Sequence, residues 1–349
     1  MQPQNNLQSQ KSRWSILQNV IALPYIIYLL IVGLIKQKQF IKRYIRPFLQ
    51  KYDKNDGTLT SKDFKKITHY YGLAVTGIFG ESIALLRNQK ITYQERYTST
   101  FQAAITGLID DYFDEYGMTQ ERMKSFYVQT NEFKTQNDAE KLGIELYKES
   151  VKYNKDFDTL LTLMDDVNQA QTDSLQQEKG TLSWDQLIEL TIYKGGSSFL
   201  YFRAAFQHQM TKEEEKALYL LGGITQFSND IFDVYKDREN QVQTLLTSTN
   251  SIKKVREIYL QFISSFQTLL FDLPYSTSSK HKFFLMYSLG VFSRCLVCLD
   301  QYQKLEAKTE GEFKLNDYSR KELICDMEKW GNFWRSVRYC VGDGILQSL

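Results

Sequence analysis

The sequence predicts an all-α protein, and three observations carry the prediction. Only four of the 349 residues are proline, so long helices can continue without interruption. Apolar residues recur at spacings of three and four over long segments, which is the pattern of amphipathic helices. No segment shows the period-two alternation of a half-exposed strand. The chain is long enough for one large domain or two ordinary ones.

The helical spacing covers most of the chain after residue 60. It is present in residues 63–86, 97–117, 138–177, 183–209, 212–240, 251–273 and 280–305. There is no repeat of fixed length, so a solenoid is not expected. We predict an N-terminal extension over 1–60, followed by a single helical domain over 61–349.

The N-terminal extension contains an apolar segment, residues 16–35, that is about as long as a membrane span. Basic residues lie on both sides of it, and Gln18, Asn19 and Pro24 interrupt it. Three interpretations stay open: a helix packed on the protein, a helix lying in a membrane interface, and a single span. Peripheral membrane contact through residues 16–35 is therefore an expectation to be examined.

Composition excludes some functions. The formal net charge is only +2, so a dedicated nucleic-acid binder is not expected. The four cysteines include one C-x-x-C pair, Cys295 and Cys298, with no histidine close in sequence. Core thiols in a reducing compartment are predicted rather than a zinc site, and we expect a cytoplasmic protein.

Two groups of acidic residues stand in otherwise apolar helices. In "LIDDYFDEYG", Asp110, Asp111 and Asp114 share roughly one helix face. In "FSNDIFDVYKDREN", Asn229, Asp233 and Asp237 form a stripe at spacing four, and Asp230 lies beside it. Like charges this close repel one another unless a cation lies between them. Oxygen-rich faces on two helices therefore predict a hard-cation site, and Mg²⁺ fits best.

These motifs resemble those of class I isoprenoid synthases, the terpene synthase superfamily. "DDYFD" (110–114) is similar to their aspartate-rich motif, and "NDIFDVYKD" (229–237) to their second metal motif, with Asp233 in the place of a serine. "GNFWRSVRYC" (331–340) resembles the terminal Arg-Tyr signature, with Arg338 and Tyr339 at the diphosphate. The resemblance implies a helical bundle around a central cavity. It also implies a cluster of up to three Mg²⁺ ions, which Mn²⁺ can replace.

A second resemblance leads to an alternative. "LGGITQFSNDIFDVYKD" (221–237) also looks like a motif of squalene and phytoene synthases, matching at Gln226, Asn229, Asp233 and Asp237. Phe232 replaces their arginine, and no basic residue precedes Asp110 in "FQAAITGLIDD". The missing cations favour a single diphosphate over head-to-head condensation of two. A non-catalytic isoprenoid-binding protein is the third hypothesis.

The resemblance assigns the following roles. The catalytic residues are Asp110, Asp114, Arg338 and Tyr339; the metal ligands are Asp110, Asp111, Asp114, Asn229, Asp233 and Asp237; the diphosphate ligands are Lys194, Arg238, Arg338 and Tyr339. The cavity lining is Phe113, Gly195, Gly196, Phe206, Phe227 and Phe232. Two interpretations of Gly195 and Gly196 remain open, a helix break facing the cavity and a close helix crossing. The expected reaction converts a linear prenyl diphosphate of the farnesyl or geranylgeranyl class into a terpene hydrocarbon or alcohol.

Overall fold

The regular structure of the described residues is helical, which confirms the predicted all-α class. The computed structural model describes residues 3–114 and 116–342, and side chains from residue 17 onward except those of Asp110 and Asp114. No strand occurs among the residues described. The α-helices are α1 Pro3–Tyr44, α2 Arg46–Gln50, α3 Ser61–Lys65, α4 Gly72–Ala74, α5 Glu81–Leu86, α6 Tyr93–Asp114, α7 Gln120–Val128, α8 Asp138–Val151, α9 Phe157–Ser174, α10 Trp184–Arg203, α11 Lys212–Phe232, α12 Val234–Glu239, α13 Ile252–Asp272, α14 Thr277–Tyr287, α15 Ser293–Lys308, α16 Arg320–Leu323 and α17 Trp330–Val341.

The chain forms two compact units. The first consists of Met1–Tyr28, Leu175–Gly196 and Lys212–Leu349, and the second of Leu29–Ser174 and Ser197–Thr211. The predicted boundary at residue 60 falls inside the second unit.

The core of the first unit lies where α11, α13, α15 and α17 pack together. Phe227 of α11 meets Tyr259 of α13 edge to face, with ring centroids 5.5 Å apart. Phe266 of α13 makes a similar contact with Phe292, at 6.2 Å. All four rings are fully buried. Edge-to-face pairs of this kind contribute beyond the apolar area they bury, so these helices are firmly held.

The core of the second unit is built around α6, which packs against α8. Tyr112 is fully buried, and its hydroxyl donates a hydrogen bond to the carbonyl of Ala139 at 2.7 Å. Further back along the helix, Tyr97 stacks at a tilt on Phe101, with centroids 4.6 Å apart. The aspartate-rich end of α6 is therefore attached to a well-packed helix.

The segment from α3 to α5 alternates α- and π-helical turns. Thr60 caps the start of α3 in a capping box with Asp63. Lys66–Tyr71 and Val75–Gly80 are π-helical. Gln37 of α1 donates its amide to the Gly72 carbonyl between them, at 2.8 Å. A buried side chain from another helix thus satisfies a carbonyl of this irregular segment.

The predicted helix over 138–177 is two helices, α8 and α9. Asn154 and Asp156 lie between them: the Asn154 side chain accepts the Asp156 amide at 2.8 Å. Asp156 in turn accepts the Thr159 amide at 3.0 Å, in the manner of an N-cap. These short polar side chains compete for backbone amides and start a new helix, which apolar periodicity alone does not reveal.

Helices α10 and α11 cross at very short range, through glycines. A Cβ atom on Gly195 would lie 2.1 Å from the carbonyl oxygen of Gly222, and one on Gly196 would lie 2.5 Å from the ring of Tyr219. Helix α10 continues through both glycines without a break. Of the two interpretations of Gly195 and Gly196, the structure shows the close crossing of two helices. That the pair also lines a cavity stays a prediction.

Two described segments are long and apolar enough to cross a membrane, judged by length and composition only. They are Leu17–Gln50 and Thr277–Lys308. In the most apolar window of the second, 72% of the residues are buried, as in a core helix, against 22% in the first. The first segment is therefore the one whose apolar surface remains exposed.

Candidate metal and diphosphate site

The second acidic motif occupies the junction of α11 and α12. Helix α11 ends at Phe232, and Asp233 has φ −91° and ψ 8° at the start of α12. Hydrogen bonds of the helical type continue across the junction, from the Asp233 amide to Asn229 O and from the Asp237 amide to Asp233 O, both at 2.8 Å. The predicted stripe Asn229–Asp233–Asp237 thus remains on a nearly continuous helical path. Asn229 and Asp233 are exposed, whereas Asp237 is half-buried.

The buried acid of the motif is Asp230, which the stripe had left to one side. Its side chain is almost fully enclosed. Gln226, one turn earlier, donates its amide to Asp230 Oδ1 at 2.9 Å, and the Thr191 hydroxyl of α10 lies 3.5 Å from Oδ2. The signal that could have identified Asp230 is the Gln226–Asp230 spacing of four, which is the helical spacing of a hydrogen-bonded pair.

The electrostatics of this motif are those of a carboxylate cluster. Burial, with the charges of Asp230 and Asp233, raises the pKa of Asp237 to about 8. Burial and the charge of Asp233 raise the pKa of Asp230 to about 6, against the opposing effects of Gln226 and Lys194. Both acids therefore hold protons far above the ordinary range of a carboxyl group. A cation bound here would favour the ionised forms and return the pKa values toward normal.

Lys194 of α10 is the basic residue that faces these acids across the helix crossing. Its charge lowers the pKa values of both Asp230 and Asp237. Lys236 pairs with Asp233 at 3.7 Å on the exposed side of the motif. The first unit thus brings together Lys194, Asp230, Asp233 and Asp237, of which three are sequence-predicted site residues.

The first acidic motif lies at the end of α6, in the second unit. The side chains of Asp110 and Asp114 lie outside the described residues. Asp111 is buried and forms an ion pair with Lys66. Asp63 is a further hydrogen-bond partner of Asp111. Lys66 supplies the positive charge beside this member of the motif.

Replacing Lys66 with methionine is expected to lower the free energy of unfolding by about 3 kcal/mol, because Asp111 would remain buried without its cation. Chemical denaturation followed by circular dichroism measures the change. The matched control is Lys65→Met, an adjacent and exposed lysine, with an expected change within about 0.5 kcal/mol. Adding Asp111→Asn to Lys66→Met should recover part of the loss. Equal effects of the two lysine substitutions would show that the ion pair contributes nothing.

The other three predicted diphosphate ligands are Arg238, Arg338 and Tyr339, and two of them are hydrogen-bonded to other parts of the first unit. Arg238 donates to the carbonyls of Leu315 and Tyr318, at 3.1 and 2.8 Å. Arg338 is exposed on α17. The Tyr339 hydroxyl lies 2.8 Å from Asp300 Oδ1 and accepts a hydrogen bond from Arg256 at 2.7 Å. Arg238 and Tyr339 thus hold neighbouring parts of the first unit in place.

The predicted cavity aromatics differ in their surroundings. Phe113 is buried on α6, and Phe206 packs against Phe79 with centroids 6.1 Å apart. Phe227 is a core residue against Tyr259. Phe232 is half-buried, and the Arg294 guanidinium lies 5.8 Å from its ring centroid. Phe232 therefore already serves as a partner for a positive charge.

Among the described residues, no group of three His, Cys, Asp or Glu side chains is arranged as a metal site. The three acids of the second motif interact electrostatically without forming a preformed cage. Mg²⁺ does not demand such a cage, since it keeps several water ligands and uses one or two carboxylates together with substrate phosphates. The donor set of the second motif, carboxylate oxygens with raised pKa values, fits this ion.

No family model matches the chain, and comparison with curated proteins and with solved structures found no match.

Proposed function

We propose that this protein is a Mg²⁺-dependent class I terpene synthase. It would act on a linear prenyl diphosphate of the farnesyl or geranylgeranyl class, as a carbon–oxygen lyase, and release a terpene hydrocarbon or alcohol. The observation that carries the proposal is the cluster of Asp230, Asp233 and Asp237 beside Lys194 in an otherwise apolar bundle. Carboxylates that interact in this way are stabilised by a bound cation. Few kinds of reaction require a bound cation in apolar surroundings.

Asp233 and Asp237 are the residues of this motif that would hold Mg²⁺, with Asn229 as an amide ligand. When bound, the metal neutralises the negative charge that develops on the diphosphate leaving group. Gln226 and Thr191 are hydrogen-bond partners of Asp230. In the proposal Asp230 is therefore not a metal ligand, and it contributes its charge from behind the ligands. Asp110 and Asp114 are the proposed ligands of the first motif.

Lys194 would bind the diphosphate directly. Its ammonium already interacts with Asp230 and Asp237, so an anionic group held by Mg²⁺ at these acids would come within its reach. Arg238, Arg338 and Tyr339 remain proposed diphosphate ligands. The aromatic residues Phe113 and Phe232 would present ring faces to the carbocation and exclude water from it.

A head-to-head prenyl diphosphate condensing enzyme is the second candidate, and one contact favours it. The glutamine of the squalene and phytoene synthase motif, Gln226, hydrogen-bonds Asp230 at the acid cluster. The phenylalanine at position 232, where those enzymes carry arginine, favours the terpene synthase.

The test is to incubate the purified protein with geranyl, farnesyl or geranylgeranyl diphosphate, singly, with Mg²⁺ or with EDTA. Gas chromatography–mass spectrometry of the extract identifies the product. We expect a hydrocarbon or alcohol with the carbon number of its substrate, formed only with Mg²⁺. A product of doubled carbon number would establish the condensing enzyme instead. No turnover of any substrate would contradict both, and would leave the non-catalytic isoprenoid-binding hypothesis.

We also propose that the protein works in the cytoplasm. All four cysteines are free and buried, which agrees with the predicted core thiols and suits a reducing compartment.

A further inference from the structure

Helix α1 carries a stripe of exposed apolar side chains. Ile21 is 70% exposed and Tyr28 60%, values typical of polar surface residues. We call the stripe the α1 face; its members are Leu17, Val20, Ile21, Tyr25, Tyr28, Ile31 and Ile35. The spacing of three and four places them on one side of the helix. A contiguous apolar face of this size marks an interaction surface.

The sequence that carries the α1 face has charges of a single sign. The first 52 residues contain eight Lys and Arg and no Asp or Glu, whereas the remaining 297 contain 35 basic and 41 acidic residues. Lys36, Lys38, Lys42 and Arg43 are exposed, directly after the stripe. An apolar face followed by a basic segment matches the boundary of an anionic bilayer, whose acyl chains meet negatively charged headgroups.

Helix α17 provides a second, aromatic surface in the same unit as the first half of α1. Trp330 is 74% exposed, and Trp334 and Phe333 are exposed beside it. Tryptophan with this exposure is characteristic of membrane–water interfaces, where the ring is apolar and its N–H remains hydrated. The far end of α17 meets α1, because Asn19 donates its amide to the Val341 carbonyl at 3.4 Å. The two surfaces therefore belong to neighbouring helices.

The opposite side of α1 is occupied by protein. Leu23 and Ile26 are buried, and His281 of α14 shares a hydrogen bond of 2.8 Å with Asn19. A transmembrane orientation would remove these contacts and place the Asn19 side chain in hydrocarbon without a partner. The helix is therefore suited to lie along a membrane and not to cross it.

A second copy of the chain is the competing occupant of the α1 face. Self-association through this face would place the exposed Lys36, Lys38, Lys42 and Arg43 of two copies along one interface, with no acidic residue among the first 52 residues to offset them. Anionic lipid has the complementary charge.

From these observations we propose that the α1 face and the exposed aromatic residues of α17 dock the protein on an anionic lipid bilayer, with α1 lying in the interface. The inference is independent of the proposed enzymatic function, because it rests on surface exposure and charge alone.

The test is flotation of the full-length protein with liposomes, either phosphatidylcholine alone or phosphatidylcholine with about 30 mol% phosphatidylserine. We expect the protein to float with the anionic vesicles and several-fold less with the neutral ones, and about 0.5 M NaCl to weaken the anionic binding. Failure to float with anionic vesicles at low salt would overturn the proposal.

Two pairs of substitutions locate the surface. Ile21→Glu with Tyr28→Glu should lower the vesicle partition coefficient at least tenfold. The matched control is Phe157→Glu with Ile324→Glu, two exposed apolar residues elsewhere with the same change of charge, and it should bind like the wild type. A third variant, Trp330→Ala with Trp334→Ala, should weaken binding several-fold. Equal losses in the Ile21/Tyr28 and control variants would overturn the assignment of the surface.

Light scattering after size-exclusion chromatography, without lipid, distinguishes the competing occupant. We expect the wild type and the Ile21/Tyr28 variant to have the same molecular mass. A wild-type dimer that the variant converts to a monomer, together with no flotation, would assign the face to a second copy and overturn the lipid proposal.

Discussion

Replacing Asp237 with asparagine is expected to abolish Mg²⁺-dependent turnover while making the metal-free protein more stable. The loss in kcat/KM should be at least about 10³-fold, because a proposed metal ligand is removed where diphosphate charge must be neutralised. The gain in stability arises because partial burial, together with the charges of Asp230 and Asp233, raises the pKa of Asp237 to about 8. Asparagine removes that repulsion and keeps the side-chain volume. We expect a gain on the order of 2 kcal/mol.

The same substitution should change the pH dependence of stability. The pKa of Asp237 is 3.8 ordinarily and about 8 in the folded chain, so the folded state binds more protons between these pH values. The free energy of unfolding of the metal-free protein therefore falls as pH rises from about 4 to about 8. Asp237→Asn should flatten this slope.

Thermal unfolding in EDTA across this pH range, together with the product assay, measures both effects. The control is Asp166→Asn on α9, outside both acidic motifs, where partial burial and the charge of Asp165 also raise the pKa of the carboxyl group. It should leave turnover unchanged. Full activity in Asp237→Asn would contradict the metal assignment. Lost activity with lost stability would mean that the residue is structural.

Gly195→Ala is expected to destabilise the protein by about 3 kcal/mol, a large effect for one methyl group. The new Cβ would lie 2.1 Å from Gly222 O and 2.8 Å from Gln226 Cβ. A backbone oxygen cannot swing aside as a flexible side chain can, so α10 and α11 must separate. Since Gln226 holds Asp230, the separation should also lower turnover.

Urea denaturation of Gly195→Ala and of Gly331→Ala compares the same change in two helices. A Cβ atom on Gly331 of α17 would meet no other atom within 4 Å, so alanine there should be neutral or stabilising by up to about 1 kcal/mol. If both variants unfolded at the wild-type midpoint, the close crossing would be disproved.

The local sequence pattern was sufficient to predict the helical class and the helix faces on which the acids lie. Apolar spacing and i, i+4 faces depend only on residues that are neighbours in sequence. It was not sufficient to tell which face of α11 is covered. Asp230 is buried because Thr191 and Lys194 of α10 lie over it, and those residues are far from it in sequence. Arg238 likewise donates to carbonyls of Leu315 and Tyr318, a connection that no local pattern contains. The division of 138–177 was missed for a different reason, since two capping side chains outweighed a continuous apolar spacing.

The π-helical turns between α3 and α5 have a consequence for how this sequence can vary. A π-helical ring closes over one more residue than an α-helical ring, so Lys66–Tyr71 and Val75–Gly80 each contain surplus chain within a helix. Removing one residue there would restore α-helical geometry locally, and the helical turns before and after it would keep nearly their present orientation, because the wider ring only absorbs the extra residue. Insertions and deletions are usually confined to loops, but in relatives of this chain single-residue gaps are expected inside this helix.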